Sequence, residues 1–220
     1  MARLPVRIQL LLVAASCPAQ EGFFAGGYYG VSTLSADGRT EITSSGASFS
    51  AYKPENGRTA AGFAGRHIND FFSVMGSYGW NRNSVVLTSG EATASPAVIS
   101  QAYRSNMHTF LGEGMLYFRS RRSRIRPYLS AGAGIAHTAA AARGNSTVVG
   151  SPAPAQGSLS KTGPAFRAAV GIDLYVTRRA AFRYSFSETI QGNRFSAALQ
   201  PPGLRKLANF QNWFGAAYYF

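Results

Sequence analysis

Cysteine, acidic residues and long apolar runs are all scarce in this chain of 220 residues, and each shortage removes a class of protein. The single cysteine, Cys17, lies near the N-terminus, so the body of the chain holds neither a disulfide framework nor a thiol nucleophile. Beyond the N-terminus no apolar run approaches the roughly 20 residues that a spanning helix needs, which excludes a helical membrane protein. Yet 45% of the residues are hydrophobic and the mean hydropathy is −0.07, so apolar surface is abundant and interrupted. Alternating strands hide apolar surface in that way. Nine acids face 22 basic residues, and neither the acids nor the three histidines fall at the spacing of metal ligands.

The N-terminal segment is laid out as a secretory signal. Arg3 and Arg7 form the basic start, Ile8 to Ala15 the apolar middle, and Cys17-Pro18-Ala19 a cleavage site of small residues, so residues 1–19 are read as a signal peptide and Gln20 as the mature start. Ala14-Ala15-Ser16-Cys17 also loosely matches a lipobox, in which Cys17 would be lipidated and retained, although the usual upstream leucine is missing. Removing Arg3 and Arg7 leaves 20 basic residues against nine acids. In an exported chain such an excess points to anionic lipid headgroups or polymers, and no helix presents it as a nucleic-acid recognition face.

Aromatics at 13% and 24 glycines accompany segments with a two-residue period. Strands are predicted at 23–34, 58–68, 71–82, 102–118, 126–138, 163–177, 180–190 and 208–220, each long enough to cross a bilayer at a tilt. In the sixth, Phe166, Ala168, Val170, Ile172 and Leu174 share one face while Arg167, Asp173 and Tyr175 share the other. Phe24, Leu129, Ala131, Ile135, Phe166, Val170, Ile172, Phe182, Tyr184, Phe214 and Tyr218 are expected to face lipid. The links near Asn69-Asp70, Arg119 to Arg124 and Thr177 to Arg179 are short, whereas those at 35–57, 83–101, 139–162 and 191–207 are long and are expected to be mobile loops. This strict alternation suits a barrel with tight turns at one end and loops at the other.

The opening Phe23-Phe24-Ala25-Gly26-Gly27-Tyr28-Tyr29-Gly30 and the closing Asn212-Trp213-Phe214-Gly215-Ala216-Ala217-Tyr218-Tyr219-Phe220 carry a resemblance that covers essentially all of residues 20–220. The chain resembles the small eight-stranded outer-membrane β-barrels of the OmpA and OmpX type. The resemblance implies an all-β, antiparallel, up-and-down transmembrane barrel in the outer membrane, with both termini periplasmic and no second domain. It also implies that Phe214, Ala216, Tyr218 and Phe220 form the signal read by the barrel-assembly machinery. Expected partners are outer-membrane lipid and lipopolysaccharide. No nucleic acid or cofactor is expected, and the barrel is read as a monomer.

Three sets of residues are candidates for function. Arg66, Glu113, Arg167, Asp173 and Arg183 are predicted to point inward, where an eight-stranded interior is filled by side chains and charges must pair. They are read as a structural plug, with a narrow gated ion pore as the alternative. Arg143, Lys161, Arg194, Arg205 and Lys206 fall in or beside the long links and are read as anion contacts. Arg119, Arg121, Arg122, Arg124 and Arg126 are read as a solvated turn near anionic headgroups. A lipid A-modifying enzyme remains a competing class, for which His108 with Ser105 three residues before it is the best pair. Catalysis there requires the two side chains to meet. The favoured reading is a non-enzymatic barrel serving envelope integrity and surface interaction or adhesion through its outer loops.

Overall fold

The computed structural model describes residues 22–36, 38–44, 46–92, 97–143, 147–149, 157–192, 195, 201–202 and 207–220. The signal segment with Cys17, and Arg194, Arg205 and Lys206, lie outside the described residues. Eleven strands follow in chain order: β1 (Phe23–Ser35), β2 (Arg39–Thr43), β3 (Gly46–Pro54), β4 (Asn56–His67), β5 (Phe72–Ala92), β6 (Ala97–Tyr117), β7 (Ile125–Ala142), β8 (Thr147–Val149), β9 (Leu159–Tyr175), β10 (Ala180–Gln191) and β11 (Leu207–Tyr219). Eight of them, β1, β4, β5, β6, β7, β9, β10 and β11, close a ring in which every neighbouring pair is antiparallel and β11 returns to β1. The predicted eight-stranded up-and-down barrel is therefore present.

The long links differ from the expected loops. β2 and β3 occupy most of 35–57, with β3 paired to β5 beyond the point where β4 ends its own pairing. Residues 83–92 and 97–101 are strand rather than loop, because β5 and β6 run on as paired 21-residue strands as far as Glu91 opposite Ala97. β8 adds to β6 within 139–162. Ser, Thr, Gly and Ala dominate these segments, so no alternation marks them in sequence, but ladder hydrogen bonds to β5 and β6 order them.

Ring geometry follows from register. Stepping through directly paired residues from His137 to His108, Trp80, Ala60, Tyr29, Phe214, Tyr184, Ile172 and Pro127 returns to β7 ten residues from the start. With about 3.3 Å per residue and about 4.8 Å between strands, that offset tilts the strands by about 40° and sets the wall about 8 Å from the axis. Such a bore has room for side chains and little else.

The wall sorts residues by parity. Phe166, Val170, Leu174, Phe182, Phe214, Tyr218, Leu129 and Ile135 are exposed on the outside, as predicted. Inside, at the short-turn end, Phe24, Phe63, Met75, Met115, Tyr117, Tyr128, Ala181, Ala217 and Tyr219 form one buried cluster. Phe24 is thus a correction: it is 1% exposed in this cluster while its neighbour Phe23 takes the outside. Space explains the choice. Phe24 lies opposite Gly65 and covers it, just as Phe63 covers Gly26, Tyr128 covers Gly171 and Tyr28 covers Gly215, each ring leaning on the glycine directly across the ladder. A side chain at any of those glycines would displace a ring that fills the bore.

Candidate functional site

Two charged layers cross the interior. Nearer the short turns, Arg183 on β10 lies directly opposite Asp173 on β9, and its Nε and Nη2 donate to the two carboxylate oxygens at 2.6 Å each. Tyr117 and Tyr219 donate to the same carboxylate at 3.2 and 2.9 Å, and Arg183 also reaches both hydroxyls. The guanidinium rests over the rings of Phe63, Phe24 and Tyr128 at 4.9 to 5.4 Å. Both side chains are fully shielded from solvent, so the pair must be satisfied from within.

One layer farther along, Arg167 on β9 pairs with Glu113 on β6 at 3.2 Å across the bore. Ser77 and Ser130 donate to Glu113, and Arg167 Nε donates to Thr189, which passes the chain to Gln211, Ser187 and Trp213. The enclosed cavity between the layers has a volume of about 20 Å³, lined in part by Glu113, Arg167, Ser185 and Trp213, enough for a single water. Above it, Leu34, Val85, Leu87, Tyr103, Ala140, Phe195 and Leu207 close the loop end with an apolar layer. Tyr52 on β3 packs on Phe195, and burial there pushes its hydroxyl pKa above the ordinary range.

Four of the five charges predicted to meet inside therefore do so. Arg66 does not. It is exposed on the outer wall with its guanidinium 5.2 Å from the ring of Phe23, because Phe63 and His67 claim the inward parity of β4. Its place is taken by Arg126, which is 0% exposed, its guanidinium carbon over the Tyr117 ring at 3.8 Å from the centroid. Arg126 donates to the Tyr175 hydroxyl and to the carbonyls of Asp70 and Arg119, so stacking and neutral acceptors hold it without a carboxylate. The parity that turns Leu129 outward turns Arg126 inward, and this signal was masked by the surrounding arginines. Arg119, Arg122 and Arg124 are exposed in the turn as predicted, and Arg121 pairs with Asp70 at 3.2 Å.

The pore alternative requires a path, and the two ion-pair layers plus the apolar layer leave none among the described residues. Purified protein in planar bilayers is expected to give no discrete conductance steps, and steps that vanish in Glu113→Gln would contradict the filled interior.

The enzyme alternative requires a histidine and a nucleophile in contact. Ser105 is buried on the inner side of β6 whereas His108 is on the outer side, where its Nδ1 meets the Tyr78 hydroxyl at 2.8 Å. The wall separates them. His67 does hydrogen-bond Ser73, but inside the aromatic cluster, stacked on Tyr219, with no acid hydrogen-bonded to the ring. His137 bonds Thr162 on the outside at 2.7 Å. Among the described residues no group of His, Cys, Asp or Glu is placed to hold a metal.

Of the predicted anion contacts, Arg143 is exposed just past β7 and Lys161 is exposed on β9 opposite Thr138. The structure does not bring these two together as a site. Phe214 and Tyr218 face outward on β11, with Ala216 between them on the same side and Phe220 packed edge-on against Tyr218.

A family model for the outer membrane protein β-barrel domain matches residues 8–218. Neisserial surface protein A is similar in structure, with a TM-score of 0.54 at 14% identity over 90% of this chain and 97% of that one. The N-terminal β-barrel domain of Pseudomonas aeruginosa OprF (TM-score 0.44, 13% identity, 91% and 100% covered) is also similar. So is Ail of Yersinia pestis, solved in complex with the heparin analogue sucrose octasulfate (TM-score 0.47, 17% identity, 91% and 100% covered). No curated protein matches. The chain belongs to the outer membrane protein β-barrel domain family, and its place is the outer membrane. In such barrels the short turns face the periplasm and the longer connections face outward.

Proposed function

We propose that this barrel is a non-enzymatic surface protein that supports envelope integrity through its wall and meets external ligands through the sheet it carries beyond the membrane. The observation that carries the reading is the length of β5 and β6. Each has 21 residues, about twice the 9 to 11 that a tilted strand needs to cross. β2 and β3 on one side and β8 on the other widen this extension into a five-stranded surface whose outermost strands, β2 and β8, each pair on one side only among the described residues. Open strand edges offer backbone donors and acceptors to a partner chain or glycan, and a filled interior leaves the outside as the place where recognition happens.

Lipid and lipopolysaccharide surround the apolar wall in this reading, the face of Phe214, Ala216, Tyr218 and Phe220 meets the barrel-assembly machinery, and the barrel works as a monomer. Replacing residues 39–54 with a short turn removes β2 and β3 but not the ring. Cells carrying that variant are expected to lose attachment to surfaces coated with acidic polysaccharide while keeping the gel shift between boiled and unboiled protein. Unchanged attachment by an intact barrel would reject the sheet as the binding element.

A further inference from the structure

Toward the loop end, the outer wall of β4 to β6 and the residue just past β7 carry four arginines that no ion pair among the described residues satisfies: Arg58, Arg82, Arg104 and Arg143. Arg58 on β4 and Arg82 on β5 lie directly opposite each other in the ladder, both exposed on the outside. Like charges placed so are destabilising unless something anionic lies between them. Arg104 follows on β6, diagonal to Arg82 through Asn106, and it lies beyond the apolar band. The charges of Arg143 and, less strongly, Arg82 fall on Arg104 and lower its pKa. Arg143 itself is held beside β6 by its backbone N–H, which donates to Ala102 at 2.8 Å.

Their height gives the ligand. At a strand tilt of about 40° each residue climbs about 2.5 Å along the axis, which puts Arg58, Arg82, His108 and His137 within about 5 Å of one level. Directly below them on the same strands come Tyr78, Trp80, Phe110 and Ile135, with Tyr78 packed on Phe110 at 4.8 Å. Arg104 and Arg143 continue outward above. An apolar, aromatic tier under a basic tier at the outer rim matches a molecule with acyl chains below and more than one phosphate above.

We propose that Arg58, Arg82, Arg104 and Arg143 form a site for a phosphorylated glycolipid of the outer leaflet, its acyl chains lying along Trp80, Phe110 and Ile135. The guanidinium forks of Arg58 and Arg82 grip one phosphate between them, the bidentate geometry for which arginine is suited. Arg104 and Arg143 meet a second phosphate farther from the membrane. The like-charge opposition on the wall is then relieved by the lipid, and the site rests on the reading that lipopolysaccharide surrounds the wall but not on any role of the outward sheet.

The test uses the full barrel in nanodiscs of zwitterionic lipid doped with diphosphoryl lipid A, with bound glycolipid counted by native mass spectrometry. Wild type is expected to retain the lipid, and Arg58→Gln/Arg82→Gln to retain at least about tenfold less, the worth of one charge-assisted hydrogen bond. Lipid A stripped of its phosphates is expected to be lost from wild type as well. Gel shift of the unboiled variant checks that the ring has formed, and Arg66→Gln/Arg122→Gln, two exposed arginines at the periplasmic end, serves as a charge-matched control expected to keep the lipid. Equal retention by wild type and Arg58→Gln/Arg82→Gln, retention independent of the phosphates, or displacement by millimolar inorganic phosphate would each overturn the proposal.

Discussion

Asp173→Asn is expected to destabilise the folded barrel by about 3 to 5 kcal/mol, measured by urea titration in lipid vesicles with the gel shift as readout. The size follows from what is left behind. Arg183 is fully buried and both of its short bonds go to Asp173. The amide keeps the shape of the carboxylate but not its charge, so a guanidinium would remain in the bore against aromatic rings and two tyrosine hydroxyls. The tyrosines cannot compensate, since each also uses the carboxylate as acceptor. Removing both partners, as in Asp173→Asn with Arg183→Met, is expected to recover most of the loss, because no charge is then left unpaired in the bore. By contrast Asp70→Asn, which breaks the half-exposed pair with Arg121, is expected to cost no more than about 1 kcal/mol. If Asp173→Asn behaved like Asp70→Asn, the interior would have to be wet.

These charges were legible in the sequence where large apolar residues alternate with them. β9 and β10 interleave Phe166, Val170, Phe182 and Tyr184 with Arg167, Asp173, Arg183 and Ser185, so a single period settles both faces. Legibility failed where neighbours are alike. In β4, Ala60, Ala61, Gly62, Ala64 and Gly65 are small on both faces, and nothing local says that Phe63 and His67 point in and Arg66 out. Phe23 and Phe24 present the same ring twice in succession, and only the glycine waiting across the ladder decides between them. Arg126 was lost in a run of arginines whose other members are at the surface. β2, β3 and the outer halves of β5 and β6 carry no legible alternation because polar and apolar residues share each face, Asn83 and Gln101 being buried in line with Val85 and Tyr103; register with a neighbour, which one sequence does not display, is what orders them. The same applies to the opposition of Arg58 and Arg82, 24 residues apart in sequence and directly paired in the ladder.

Val170→Arg is expected to cost about 2 to 4 kcal/mol in the same vesicle titration, the penalty for arginine near the bilayer midplane. Val170 is 51% exposed, faces away from the ion pairs, and is directly opposite Leu129 and Phe186, both also on the outer wall. In water an exposed valine replaced by arginine changes stability by about 0.5 kcal/mol or less, so a large loss at an exposed position has one physical source, the removal of a guanidinium from water into hydrocarbon. Ala141→Arg provides the comparison. Ala141 is on the outer side of β7, six residues beyond Ile135 toward the loop end and directly opposite Arg104, and a charge there is expected to cost about 1 kcal/mol, the value near the interface together with its opposition to Arg104. The difference between the two positions measures where hydrocarbon ends on the wall. It also fixes the level of Arg58, Arg82 and His108, because all lie on the same tilted ladder. A Val170→Arg as mild as Ala141→Arg would mean that this wall does not face lipid, whatever the ring of strands looks like.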